Sequence, residues 1–281
     1  VDIKFKCNGC GGCCLGGISL TYNEVINTHS GDFPVAVIFS VSDVRNVPIE
    51  KEKTPYAKSM KKHSKECLSF YSKSSDNRKI VVHPEFITLV GGEHGCPNLD
   101  WDNKCQIYSR RPKACSLYPY RVDTPVLHMV EGLRRERSRS FEMHGHRQSC
   151  QGFTEDKEVI FHRGKPVEEG ITDTLHSRNE EASIGKAFLK EFFIHLLQDD
   201  DIQKKLTEYS ELNKNDERVI QVSLAKFIRY MVKSKKISAC VAEGVIERNK
   251  QALNRELSKL DCKTEEVMYD NCLTHISDHF S

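Results

Sequence analysis

The chain has 281 residues, with 42 lysines and arginines against 40 aspartates and glutamates and a formal net charge of +2. That balance argues against a dedicated polyanion binder and leaves room only for local patches. Hydrophobic residues make up 38%, low for one large core but above the disordered range, and the length suits one large domain or two modest ones.

The first residues carry the densest chemistry. Cys7, Cys10, Cys13 and Cys14 fall within eight positions. The spacing C-x2-C-x2-C of the first three can wrap thiolates around one metal centre, as in ferredoxin-type sites. Gly9, Gly11 and Gly12 let backbone N–H groups approach sulfur closely. Neighbouring residues do not easily ligate one tetrahedral ion. Cys14 is therefore expected to face a different centre from Cys13 or to support the site without ligating; a vicinal disulfide is the third option.

Short β-branched runs follow, bounded by Gly or Pro: Lys79–His83, Phe86–Val90 and Val126–Val130 are predicted strands. Long loops separate them, and such a region gains stability from a metal. Between the second and third lies another cysteine group, Cys96, Cys105 and Cys115. Asp100 and Asn103 predict a turn that brings Cys96 and Cys105 together. Pro112 suits the first turn of a short helix, which places Cys115 early in that helix, where the dipole favours a thiolate. Cys150 follows His146.

Eight cysteines thus form the candidate metal ligands: Cys7, Cys10, Cys13, Cys14, Cys96, Cys105, Cys115 and Cys150. They serve two four-cysteine sites or one site with bystanders. Cys67, Cys240, Cys262 and Cys272 stand alone and read as buried structural thiols. Trp101 reads equally as a shield over the metal or as a core residue. His94 could replace a thiolate, and His83, His128, His144 and His146 read as surface or supporting groups. Arg134, Arg135, Arg137 and Arg139 form a basic run beside Arg110, Arg111, Lys113 and Arg147, but interleaved Glu131, Glu136 and Glu142 favour an ordinary solvated face over a nucleic-acid surface.

From about Glu168 the pattern turns helical. Ile184, Phe188, Phe192 and Leu196 form one stripe, and Ile202, Leu206, Tyr209 and Leu212 a second. Val219, Ile220, Leu224, Phe227, Ile228 and Met231 form a third. Val241, Val245, Leu253, Leu257 and Leu260 form a fourth. Together they predict a small helical bundle, with Asp199–Asp201 and Lys233–Lys236 as solvated junctions. The expected fold class is α+β: an irregular cysteine-rich metal-binding domain with short strands over 1–166, followed by a helical domain over 167–281.

Two spaced signatures carry a resemblance: the opening F-x-C-x2-C-G-x-C-C of Phe5 to Cys14, and the later C-P-x-L-D…C-x-I-Y-x2-R-P-x2-C of Cys96 to Cys115. In the same order they resemble the CxxCxxCC cysteine-cluster family, the YkgJ-type proteins described as zinc- or iron-chelating. The family is similar to flagellin lysine N-methylases, which are thought to carry an iron–sulfur cluster. The opening spacing here is more regular than in the methylases, and no glycine-rich S-adenosylmethionine loop follows a strand. The resemblance implies metal binding. Tyr108 and Arg111 match the later signature, Tyr108 as packing beside the site and Arg111 as a partner for an acid or for the charge of a thiolate-bound cluster.

Zinc and iron–sulfur clusters both accept four thiolates. Three cysteines in ferredoxin rhythm, with Cys96-Pro97 as a distant echo of the C-P ending of such sites, favour a 4Fe-4S cluster on Cys7, Cys10, Cys13 and Cys96. Zinc is the alternative, and one centre of each kind a third arrangement. No P-loop, G-x-S-x-G elbow or H-E-x2-H helix is present. The expected function is iron–sulfur chemistry, redox or group-modifying, on a macromolecular substrate such as a protein. As an enzyme it would be an iron–sulfur-dependent oxidoreductase or a lysine-methylase-like protein. The alternative is a zinc-stabilised, non-enzymatic binding module for a protein or nucleic acid, and a metal-storage or delivery protein is a third class. No apolar run approaches the ~20 residues of a membrane helix, and no secretory signal is read at the start. Twelve cysteines without one point to the cytoplasm, where the clustered ones are expected to be metal ligands, because secreted disulfide scaffolds are usually much shorter.

Overall fold

The computed structural model describes residues 2–7, 14, 17–43, 68–71, 79–89, 96–102, 104–120, 133–134, 137, 140–143, 146–150, 152–154, 156–163, 165–209 and 217–258. The fold is α+β, with short strands through the cysteine-rich part and long helices toward the C-terminus. Two compact units are each assembled from separated stretches.

One unit comprises Val1–Pro34, Thr88–Ala182 and Asn249–Leu260. Its sheet is built from β1 (Ile3–Lys4), β8 (Val159–His162) and β9 (Lys165–Pro166), all antiparallel, with Ile3 opposite Phe161. Beneath lies a core of Ile3, Leu117, Tyr120, Leu133, Phe161, Ile171 and Leu175. Ile171 and Leu175 open helix α2 (Ile171–Leu196), whose residues to Ala182 belong here. The unit also holds β2 (Ser19–Leu20), a π-helical segment (Glu24–His29), a 3-10 turn (Tyr108–Arg110), the one-turn helix α1 (Lys113–Ser116) and a hairpin of β6 (Ser140–Met143) with β7 (His146–Ser149).

The other unit comprises Val35–Ile87, Ser183–Arg248 and Asp261–Ser281. β3 (Val35–Asp43) is its central strand, flanked by β10 (Glu217–Ser223) and β5 (Lys79–Thr88), and β4 (Leu68–Tyr71) pairs with β5. The predicted strands at Lys79 and Phe86 are one continuous strand; Val90 and the strand predicted at Val126 lie outside the described residues. β10 corrects the third helical stripe, because Val219 and Ile220 sit on this strand, opposite Ser40 and Phe39. Its alternation explains why: Ile220 and Val222 are buried while Val219 is exposed and Gln221 half-buried, a period of two. Ser223 then starts helix α4 (Leu224–Lys233) by accepting the Lys226 N–H at 3.2 Å.

Helix α4 lies on this sheet rather than in a free-standing bundle: Phe227 meets Phe86 at 5.2 Å and Phe192 at 5.3 Å between centroids, and Phe39 meets Phe193 at 4.5 Å. These aromatics are nearly or fully buried, and tilted or edge-on rings at such spacings add to the burial itself. Helices α3 (Asp200–Tyr209) and α5 (Ala239–Leu257) match the second and fourth stripes, with Leu212 and Leu260 outside the described residues. Of the two predicted junctions, the first is braced, since Asp199 accepts from Lys226 Nζ at 3.0 Å.

Candidate metal centre

The run Cys7–Cys14 is tethered on both flanks. On its N-terminal side, Phe5 N–H donates to Glu158 O at 2.9 Å, next to the β1–β8 pairing, and Lys6 N–H donates to Gly152 O at 3.0 Å. The Phe5 ring packs edge-on to Tyr118, 5.5 Å between centroids, and tilted on Phe153 at 4.8 Å. Tyr118 lies three residues after Cys115, and Phe153 three after Cys150. Cys7 is exposed and Cys14 half-buried; Cys10 and Cys13 lie outside the described residues.

On the C-terminal side, Ile18 and Thr88 exchange bonds, Ile18 N–H to Thr88 Oγ1 at 2.8 Å and Thr88 N–H to Ile18 O at 3.0 Å. Three residues on, Thr21 and Glu24 form a capping box. Thr21 N–H donates to Glu24 Oε2 at 2.8 Å and Glu24 N–H to Thr21 Oγ1 at 3.3 Å. The pattern Thr-x2-Glu before Val25 and Ile26 is the local sequence signal for this box, and neither residue is among the expected site residues.

Cys96 and Cys105 stand on a tight hairpin, as Asp100 predicts. Leu99 pairs with Cys105, Gln106 N–H donates to Asn98 O at 2.8 Å, and Asp100 N–H donates to Lys104 O at 2.9 Å. Asp100 Oδ1 accepts from the N–H groups of Asp102 at 2.9 Å and Lys104 at 2.8 Å, closing the turn from within. Asn103 is outside the described residues. Cys96 is buried and Cys105 half-buried. Trp101 neither shields a metal nor fills a core: at the tip of this turn it is fully exposed, because the Asp100 bonds turn the backbone outward there.

Cys115 occupies the third position of α1, which Pro112 opens, and its N–H donates to Pro112 O at 2.9 Å. The intervening residues are fixed by charge. Arg110 bonds Asp32 Oδ2, which also meets His29 Nδ1 at 2.9 Å, while Asn98 Nδ2 donates to Asp32 O at 3.0 Å. The hydrogen bond it donates to Asp32 holds the Arg110 guanidinium above its ordinary range; partial burial opposes this, and the negative charges of Asp32 and Cys105 add to it. Arg111 lies over the Tyr108 ring, 3.9 Å from its centroid. Tyr108 is itself more than half exposed. The Arg111 Nε–H is buried with no acceptor among the described residues, and a buried donor of this kind suits an anionic partner.

Cys150 directly follows β7 and is half-buried; its carbonyl accepts the Phe153 N–H at 3.4 Å. Cys240 corrects its reading as a buried thiol, since it is exposed on the first turn of α5. Cys67, Cys262 and Cys272 lie outside the described residues, as do His94, His128, His144, Arg135 and Arg139. Arg134 and Arg137 are exposed.

All six described candidate cysteines belong to the one unit. Among the described residues no three histidine, cysteine, aspartate or glutamate side chains are arranged to hold one ion. The donor set, thiols on bonded turns with an arginine nearby, has the chemistry of a soft-metal site. No helix among the described residues is long and apolar enough to cross a membrane. No curated protein and no solved structure matches the chain significantly. A family model does match, over residues 6–151, a span that includes all eight candidate cysteines. The chain therefore belongs to the CxxCxxCC family, described as "Putative zinc- or iron-chelating domain".

Proposed function

We propose that this chain carries a thiolate-bound 4Fe-4S cluster and supports redox or group-modifying chemistry on a protein substrate in the reducing cytoplasm. Cys7, Cys10, Cys13 and Cys96 would hold the cluster, and Cys14, Cys105, Cys115 and Cys150 are the remaining donors. One observation carries the reading. The flanks of Cys7–Cys14 are bonded to the segments that bear the later cysteines, through Lys6 to Gly152 and Glu24 to Lys113. When bound, such a cluster supplies one-electron transfer, or an open iron that polarises a substrate oxygen or nitrogen. The chain's own part is to position and to balance charge. Buried Cys96 offers a dry thiolate, Asp32 fixes Arg110 near Cys105, and Tyr108 holds the plane of Arg111.

A zinc site is the second reading, favoured by the Cys96–Cys105 hairpin, because zinc modules present cysteine pairs on tight turns. Anaerobic purification followed by visible absorbance and iron, sulfide and zinc analysis separates the two. Brown protein with iron and acid-labile sulfide in equal amounts is expected. Colourless protein holding zinc alone would replace the cluster with the zinc module.

A further inference from the structure

Glu24 is not among the proposed metal ligands, yet its carboxylate is buried, 4% exposed, and closes a bond across 89 positions of sequence. One oxygen belongs to the capping box, where Oε2 accepts the Thr21 N–H at 2.8 Å. The other, Oε1, accepts the backbone N–H of Lys113 at 2.6 Å. Lys113 is the first residue of α1 and Cys115 the third.

The local sequence does not cap α1. Pro112 stands at its N-cap and makes no side-chain cap bond, so the orphan N–H groups of the first turn need an acceptor from elsewhere. A four-residue helix has no stability of its own, and whatever holds its first turn decides where Cys115 points. Glu24 supplies the acceptor from a site seven residues beyond the Cys7–Cys14 run plus the three of its own box. Glu181 adds a second hold, pairing with Lys113 Nζ through one oxygen and accepting the Thr21 hydroxyl at 3.3 Å through the other. Both Glu24 oxygens face N–H donors, so a carboxylate fits and an amide, with one acceptor, does not.

We propose that Glu24 is the positioning residue for Cys115. It borrows the capping box that follows the N-terminal cysteines to fix the helix that presents a cysteine from the second group, and this rests on Cys115 being a metal ligand. The metal centre is thereby assembled from both groups by a protein bond that is independent of the metal.

The test uses the full chain with the metal it carries on anaerobic purification, and reads alkylation of each cysteine by iodoacetamide with mass spectrometry. In Glu24→Gln, Cys115 is expected to alkylate on the order of tenfold faster, the scale of one lost charge-assisted bond, while Cys96 stays protected. A second variant guards against misfolding. Lys113→Pro removes the donor N–H at a helix position where proline is favoured, and Pro112, at φ −50° and ψ 148°, already has the backbone that a following proline requires. It is expected to repeat the Glu24→Gln result, whereas Lys113→Met, which loses only the Glu181 pair, is expected to keep Cys115 protected. Unchanged protection of Cys115 in both Glu24→Gln and Lys113→Pro overturns the proposal, as does parallel deprotection of every cysteine in both. If Cys115 of the unaltered chain alkylates equally fast with metal bound and after chelation, it is no ligand, and the assignment of the donor set falls together with the proposal.

Discussion

Gly152 lies beneath the ring of Phe5 so closely that a β-carbon there would stand 2.5 Å from Phe5 Cε2 and 3.0 Å from the carbonyl oxygen of Lys6. The glycine is required by this approach, which lets Lys6 bond Gly152 and brings Cys7 toward the segment of Cys150. Gly152→Ala is expected to cost about 1–3 kcal/mol, the range for overpacking, read from the urea midpoint. Phe5→Leu should relieve part of that cost in the double variant, giving a coupling energy of opposite sign to the single effects. Additive losses would show that the ring and the glycine are independent.

Asp100 closes the Cys96–Cys105 turn with two bonds from one oxygen. The freed N–H groups in Asp100→Ala would reach water, so the loss is modest, about 1 kcal/mol by thermal unfolding. Asp100→Asn keeps the Oδ1 acceptor and should lose less than half of that. Metal release to a chelator should quicken in the same order, because the turn sets the separation of Cys96 and Cys105. Equal release rates in all three proteins would remove the hairpin from the donor set.

Trp101 is the single tryptophan of the chain and is fully exposed. Its emission should therefore lie at the long-wavelength position of an indole in water and barely move on unfolding in guanidinium. Acrylamide should quench it about as well in the native as in the unfolded chain. A blue-shifted native spectrum that moves on unfolding would place the ring in contact with something.

Much of this was legible because it is local. The Cys96–Cys105 turn follows from one aspartate bonding its own backbone, and the helix of Cys115 follows from Pro112. The Thr21–Glu24 box was equally local and could have been read. Its bond to Lys113 was not, since no short-range signal links positions 89 apart. Trp101 and Cys240 were misjudged for a related reason: composition gives an aromatic or a lone thiol a tendency to burial, and only tertiary packing decides it. Val219 and Ile220 fit a helical stripe and a strand equally well until Ser223 starts a helix after them.

Tyr120 gives the metal-bearing unit an alkaline limit. Its ring is in the core beside Leu117, its hydroxyl donates to Ile160 O at 2.8 Å, and burial, with the charge of Glu168 adding, pushes its pKa up to about 12 from 10.0. A folded-state pKa raised above the unfolded value means that stability is fully present below pH 10 and is lost as pH climbs through 12. That rise corresponds to a loss on the order of 2–3 kcal/mol across the window. Tyr120→Phe removes the ionisation and the bond to Ile160, so it should be about 1 kcal/mol less stable at neutral pH and flatter between pH 10 and 12 than the unaltered chain. Urea unfolding at pH 8, 10 and 11.5 measures both slopes, and parallel slopes would mean that another group sets the alkaline limit.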